Sequence, residues 1–253
     1  LQNLYMFWGA DPAVHLRILR EARSAFQRAG RLDRLVVIEV NLASIYDRVG
    51  LLRRAWRLLA QAEQRARATG SHDVLTTLLQ NAAYVATLLG RFNDAHRLAD
   101  EIEALQARLK LPDGPARLAL RRASIALEEG RAGLAVRLLT PLAATVDESI
   151  AIGARFRLLT ELARALLAQA QPKAALRHTS AAAALHRQKG LAWINDMQPP
   201  SLWWQHSRAL AACGRSDEAW AALQQAHALL MERVREMRDA GVRRSTLNKD
   251  SIH

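Results

Sequence analysis

The sequence predicts an all-α chain, a right-handed α-solenoid of antiparallel helix hairpins with about five full repeats after a partial N-terminal one. Two observations predict it. Glycines fall at positions 30, 50, 70, 90, 130 and 190, a grid of twenty, and small residues recur in fixed phase with that grid. Glycine suits the left-handed residue just past a helix C-terminus, so each interval holds one helix of roughly fifteen residues and a short turn. Two intervals make a hairpin, and the period is forty.

In blocks of forty, Gly50, Gly90 and Gly130 continue to Ala170 and then, after a four-residue insertion near Asn195 to Pro200, to Gly214. Five positions after each sit Ala55, Ala95, Ala135, Ala175 and Ala219; seven before each sit Ala43, Ala83, Ala123, Ala163 and Ser207. Small side chains at fixed points of both helices permit close helix contact, because a larger group there would push the axes apart.

Each element follows from the grid. The units are a partial one at 1–30, repeats at 31–70, 71–112, 115–150, 151–190 and 191–240, and an extension at 241–253, all within one domain. Asp11 before Pro12, Asn93 before Asp94, Ser216 before Asp217 and Pro172 after Gln171 read as N-terminal caps or first-turn residues. The Asp113-Gly114-Pro115 turn separates the second and third repeats. Pro141 falls inside the second helix of the third repeat, where a kink or an early end is expected. Trp203 and Trp204, with Trp193 and Met197 a few residues earlier, follow the insertion. Adjacent helical residues point about 100° apart, so Trp203 is expected inward and Trp204 towards a groove. Ser216 to Asp239 reads as one long helix, and Gly241 interrupts it before a basic run of Arg243, Arg244 and Lys249.

Composition narrows the function classes. With 253 residues, half of them apolar, the chain can bury a long continuous core. Its longest uncharged stretch, Val74 to Gly90, contains Thr76, Thr77, Gln80, Asn81 and Thr87 and reads as an inner repeat helix, so no membrane association is expected. A single cysteine, Cys213, excludes an internal disulfide and points to a reducing cytoplasm. The chain begins at Leu1 and reads as a fragment of something longer. Its net charge of +12 is spread diffusely, and a duplex-binding face would need its bases aligned along one side. A solvated basic surface is the favoured reading, and nucleic acid is the weaker one.

Signals of catalysis are weak. The eight histidines are scattered, and none pairs with another His, Cys or carboxylate at a metal-ligand spacing. His206 and Cys213 lie seven apart and could share a helix face, but both fall at packing positions of the repeat. No phosphate loop, nucleophile elbow or paired-carboxylate motif is present. The expectation is a non-enzymatic chain with no cofactor and no metal.

The phased small residue, Gly and Ala resembles the tetratricopeptide repeat, with Leu42, Ala43, Tyr46, Gly50, Ala55 and Ala62 the best-kept unit. The likeness covers about residues 36 to 240. A period of forty exceeds the 34 residues usual in that family and places the chain near the sensor regions of bacterial regulators.

In that family the first helix of each hairpin lines an inner groove. The resemblance therefore implies a strip of Val37, Asn41, Ser44 and Arg48, then Thr77, Gln80, Asn81, Tyr84 and Thr87. Arg117, Arg121 and Ser124 follow, then Arg157, Thr160, Glu161 and Arg164, and finally Trp204, Gln205 and Arg208. Asn41 and Asn81 hold the position at which family members that grip a peptide carboxylate place a clamping Asn. Arg117 and Arg121, four apart, share a helix face. Together with Arg157 and Arg164 they could present bidentate donors to an acidic side chain, a C-terminal carboxylate or a phosphate. Alternatively, Glu128 and Glu161 neutralise these arginines in structural pairs.

The implied function is a protein-, peptide- or small-effector-binding module, the sensor or interaction region of a larger bacterial regulatory protein. An oligomerisation scaffold without effector, or a nucleic-acid-binding helical repeat, are the alternatives. Apolar edges at both ends predict self-association of the isolated chain or a missing neighbour in a longer one.

Overall fold

The structure, a computed structural model, describes residues 11–109, 114–145, 152–191 and 198–250. Among these residues there is no strand, and twelve helices follow one another. They are α1 (Pro12–Arg28), α2 (Leu32–Arg48), α3 (Leu52–Ala68), α4 (His72–Leu88), α5 (Phe92–Leu109) and α6 (Gly114–Glu128). The remaining six are α7 (Ala132–Thr145), α8 (Ile152–Ala168), α9 (Pro172–Gln188), α10 (Pro199–Ala212), α11 (Ser216–Arg235) and α12 (Ala240–Asp250). The chain is an all-α repeat solenoid.

The glycine grid marks the helix ends for a definite reason. Gly90 has φ +69°, its amide donates to the Thr87 carbonyl (3.0 Å), and the next amide, Arg91, donates to the Ala86 carbonyl (2.9 Å). Those two bonds satisfy carbonyls that the last helical turn leaves without partners, and the geometry requires the left-handed backbone that glycine adopts most readily. The same pair of bonds recurs at Ala170, which has φ +54° and stands where the grid lacks a glycine.

The small-residue columns are buried. Ala55, Ala83, Ala95, Ala123, Ala135, Ala163 and Ala175 are all fully enclosed, and Ala43, Ala219 and Ser207 nearly so. Close approach at these points holds α2 against α3, α4 against α5 and α8 against α9. First helices of successive hairpins also touch, α2 with α4 and α8 with α10, so they share a face.

The described residues divide into two compact units, one of residues 11–121 and 234–250, the other of residues 122–233. In the first, Glu39 is almost wholly buried and accepts from Arg23 Nε (3.0 Å) and from Arg65 Nη2 (2.8 Å), a buried charge stabilised by two guanidinium groups. Asp11 caps α1 by accepting from the Ala13 amide (3.0 Å) and ties down the far end of the chain by accepting from the Arg238 amide (3.0 Å). In the second unit the core gathers Phe156, Leu159, Ala182 and Leu202 in one cluster and Ala183, Trp203, Leu210, Ala222 and Leu229 in another.

Several expected boundaries move. Gly114 and Pro115 are the first two residues of α6, while Asp113 lies outside the described residues. α7 runs on through Pro141 to Thr145, although the ring removes one amide from its ladder. The long C-terminal helix breaks earlier than expected, at Arg235, and Gly241 lies within α12 instead of interrupting a helix. The cause is Asp239, whose Oδ1 accepts from the Val242 amide (2.8 Å) and starts a new helix there. Trp193 and Met197 lie outside the described residues.

Candidate functional site

In the unit of residues 11–121, the polar strip runs along α2, α4 and the start of α6. The Asn81 amide is oriented by its neighbours: Nδ2 donates to the Thr77 carbonyl (2.9 Å), and Oδ1 lies 3.2 Å from the Ser44 hydroxyl on α2, whose one proton it shares with the Val40 carbonyl (3.0 Å). That bond joins the first helices of two successive hairpins and leaves the second N–H of Asn81 to donate elsewhere. Asn41, half-buried one helical turn before Ser44, makes no hydrogen bond to another described residue. On α6, the Arg121 guanidinium carbon stands 5.6 Å from the centre of the Tyr84 ring, and Arg117 is exposed on the preceding turn. A cation over an aromatic face is held in place by the negative potential of the ring.

The unit of residues 122–233, taken by itself, carries its own polar first-helix residues on the end of α6 and on α8 and α10. Arg157 Nη2 donates to Ser124 Oγ (3.4 Å). Arg164 Nη2 donates to Glu128 Oε1, and its Nη1 lies 3.7 Å from Glu161 Oε2. Two carboxylates therefore face Arg164, which is the pairing expected of a structural network. Arg208 Nη1 donates to the neutral Gln205 Oε1 (3.2 Å), one turn along from Trp204. Trp204 is 44% exposed and Trp203 only 3%, as the 100° step between them requires.

Beneath Trp204 lies a buried aromatic–imidazole cluster that the sequence pattern did not reveal. Trp203 Nε1 donates to His186 Nδ1 (3.0 Å), so the His186 proton sits on Nε2. The Thr179 hydroxyl donates to the Leu176 carbonyl (3.2 Å), which leaves His206 Nδ1 as the donor in its 2.9 Å contact with Thr179. Burial, followed by the nearby positive charges of Arg187 and Arg215, pulls the His206 imidazole down to about 4. Thr179 and Trp203 take up His206, and Cys213 serves as the C-cap of α10. Partners 17 and 27 residues apart leave no local mark on the sequence.

The first helices of the first unit thus carry amides and guanidinium groups, and those of the second carry guanidinium groups and the exposed Trp204 indole. Among the described residues, no group of three or more His, Cys, Asp or Glu side chains is placed to hold a metal, and no helix is long and apolar enough to cross a membrane.

No protein-family model and no curated protein matches the chain. Solved structures do. NprR in complex with its cognate peptide NprX superposes with a TM-score of 0.66 at 13% identity, over 94% of this chain and 73% of that one. BtubC (BKLC) from P. vanneervenii gives 0.54 at 20% identity, over 87% and 89%. A kinesin light chain-like protein of Podosopora anserina, with nearly identical TPR-like repeats, gives 0.53 at 22% identity, over 79% and 96%. The fold is that of the tetratricopeptide repeats. In TPR terms α2, α4, α6, α8 and α10 are the first helices of their hairpins, and α3, α5, α7, α9 and α11 the second.

Proposed function

We propose that this TPR-like chain is a non-enzymatic recognition module. Its first helices bind a peptide or a segment of a partner protein, through Asn41, Asn81, Tyr84, Arg117 and Arg121 on the unit of residues 11–121 and, on the unit of residues 122–233 taken by itself, through Arg157, Arg164, Trp204 and Arg208. The observation that carries the reading is the Ser44–Asn81 hydrogen bond between α2 and α4. It orients the Asn81 amide against the preceding first helix, with the Tyr84-stacked Arg121 following on the next one. An amide held in this way suits the backbone of an extended peptide, and guanidinium groups suit an acidic side chain or a free C-terminal carboxylate. The likeness to NprR, solved with its peptide, supports a peptide over a folded partner. A small effector is the lesser version of the same reading. We place the module in the cytoplasm, as the sensor region of a larger bacterial regulator.

Fluorescence anisotropy against a library of short peptides, with acidic and with amidated C-termini, tests this. Binding should favour acidic sequences with a free carboxylate. Arg121→Ala should weaken it by about tenfold or more, as removal of a charge-assisted hydrogen bond does, and Asn81→Ala by about two- to tenfold. Both variants should melt as the parent does. Binding that ignores both substitutions, or that requires neither peptide charge nor carboxylate, would overturn the reading.

A further inference from the structure

A second polar site lies on the unit of residues 11–121, built by α1, α2 and α3. Tyr46, Arg54, Arg57, Leu58 and Gln61 line a cavity of about 300 Å³. Arg20, from α1, donates through Nη2 to the Tyr46 hydroxyl (3.3 Å) and lies 5.8 Å from the centre of its ring. Tyr46 comes five residues after Asn41 on α2, about 140° further round the helix, so the cavity does not open on the strip described above.

The arginines of α1 and α3 fall into two classes. Arg23 and Arg65 converge on Glu39, and Arg67 bridges Glu63 and Glu101. Arg20, Arg54 and Arg57, like Arg17, Arg28 and Arg53, have no carboxylate within ion-pair distance among the described residues, but only these three lie beside Tyr46. Three guanidinium groups thus gather around one phenol with no protein charge to balance them.

The start of α3 raises the same imbalance from another direction. Its first turn contains no acid, and Leu51 supplies no side-chain acceptor to its free amides. α2, α4 and α5 place Asp33, Asp73 and Asp94 in their first turns, whereas α1 and α6 to α10 share the lack of an acid there. Arg53 and Arg54 therefore stand at the positive end of a helix dipole, an unfavourable place for cations that a bound anion would reverse. The site is confined to one repeat, since the residues forty and eighty after Tyr46 are Ala86 and Ala126.

We propose that this cavity binds the phosphate group of a small phosphate ester or diphosphate. Arg54 and Arg57 supply planar, bidentate donors of the kind that match phosphate oxygens, with Arg20 adding charge from α1. The Tyr46 hydroxyl and the Gln61 amide complete a polar lining. The hollow is shallow and open to solvent, so it suits a small charged head group and not a buried ligand.

Isothermal titration of the whole chain with inorganic phosphate and with diphosphate, at low and at physiological salt, tests the proposal. Diphosphate should bind more tightly than phosphate. Arg54→Gln/Arg57→Gln should weaken diphosphate at least tenfold and Tyr46→Phe severalfold, all with unchanged helical circular dichroism. Arg137→Gln, exposed on α7, removes a charge elsewhere and should leave binding intact. Absence of binding to either anion would overturn the site. So would equal losses in the Arg137 control, or a duplex oligonucleotide that binds more tightly than diphosphate and is insensitive to Arg54 and Arg57.

Discussion

The Ser207 hydroxyl donates a 2.8 Å hydrogen bond to the carbonyl of Ala219, so the two small-residue columns of the repeat meet within one hairpin. In the other hairpins the corresponding pairs are Ala43 with Ala55, Ala83 with Ala95, Ala123 with Ala135 and Ala163 with Ala175, none more than 1% exposed. A hydroxyl fits there because an acceptor is within reach; a larger apolar group has no room. Ser207→Ala should cost at most about 1 kcal/mol, the worth of one hydrogen bond. Ala83→Leu should cost on the order of 2–3 kcal/mol by overpacking. Urea denaturation of both variants checks the order, and a Leu at position 83 that costs nothing would show that the column is not a seam.

Ala170 occupies the left-handed position that glycine holds elsewhere, at φ +54°. A Cβ in that region carries a strain of about 1 kcal/mol, so Ala170→Gly should stabilise the chain by up to that amount despite the greater freedom it gives the unfolded state. Gly90→Ala should move stability the opposite way. Thermal melts of the two variants, shifted in opposite directions, are the expected outcome.

His206 links stability to pH. Its folded imidazole protonates only near 4, whereas in the unfolded chain it does so near 6.5. Above about pH 6.5 both states are neutral and the contribution is intact. As pH falls towards 4, the unfolded state takes up the proton first and stability is lost. Allowing for solvent screening, the loss is on the order of 1–2 kcal/mol. Chemical denaturation between pH 7 and pH 4 should show it, and His206→Gln, which keeps a donor for Thr179, should flatten the profile over that window.

Arg164 and Arg208 sit on the same strip but in different electrostatic settings. Arg164→Ala leaves Glu128 and Glu161 without the guanidinium that separates them, a cost of about 1 kcal/mol at this partial exposure that salt should reduce. Arg208→Ala removes an exposed side chain from a neutral partner and should change stability by less than about 0.5 kcal/mol. Denaturation at two salt concentrations separates the two.

The repeat was legible because its constraints act on single atoms. A left-handed backbone excludes most Cβ groups, and a helix seam excludes everything larger than a methyl or hydroxyl, so Gly90 and Ala83 leave a periodic trace. The inward Trp203 and outward Trp204 followed from helical geometry alone. Other features depend on partners the chain brings from afar. Glu39 reads like any polar helix residue until Arg23 and Arg65 arrive from the flanking helices. The Trp203–His186 bond and the Arg20–Tyr46 contact are non-periodic in the same way.

Hydrogen–deuterium exchange of the chain with and without the tightest-binding acidic peptide tests the recognition face most directly. Slowed exchange along α2, α4 and α6, with α3 and α5 unchanged, is the predicted footprint. Protection confined to the second helices, or none despite measured binding, would contradict it.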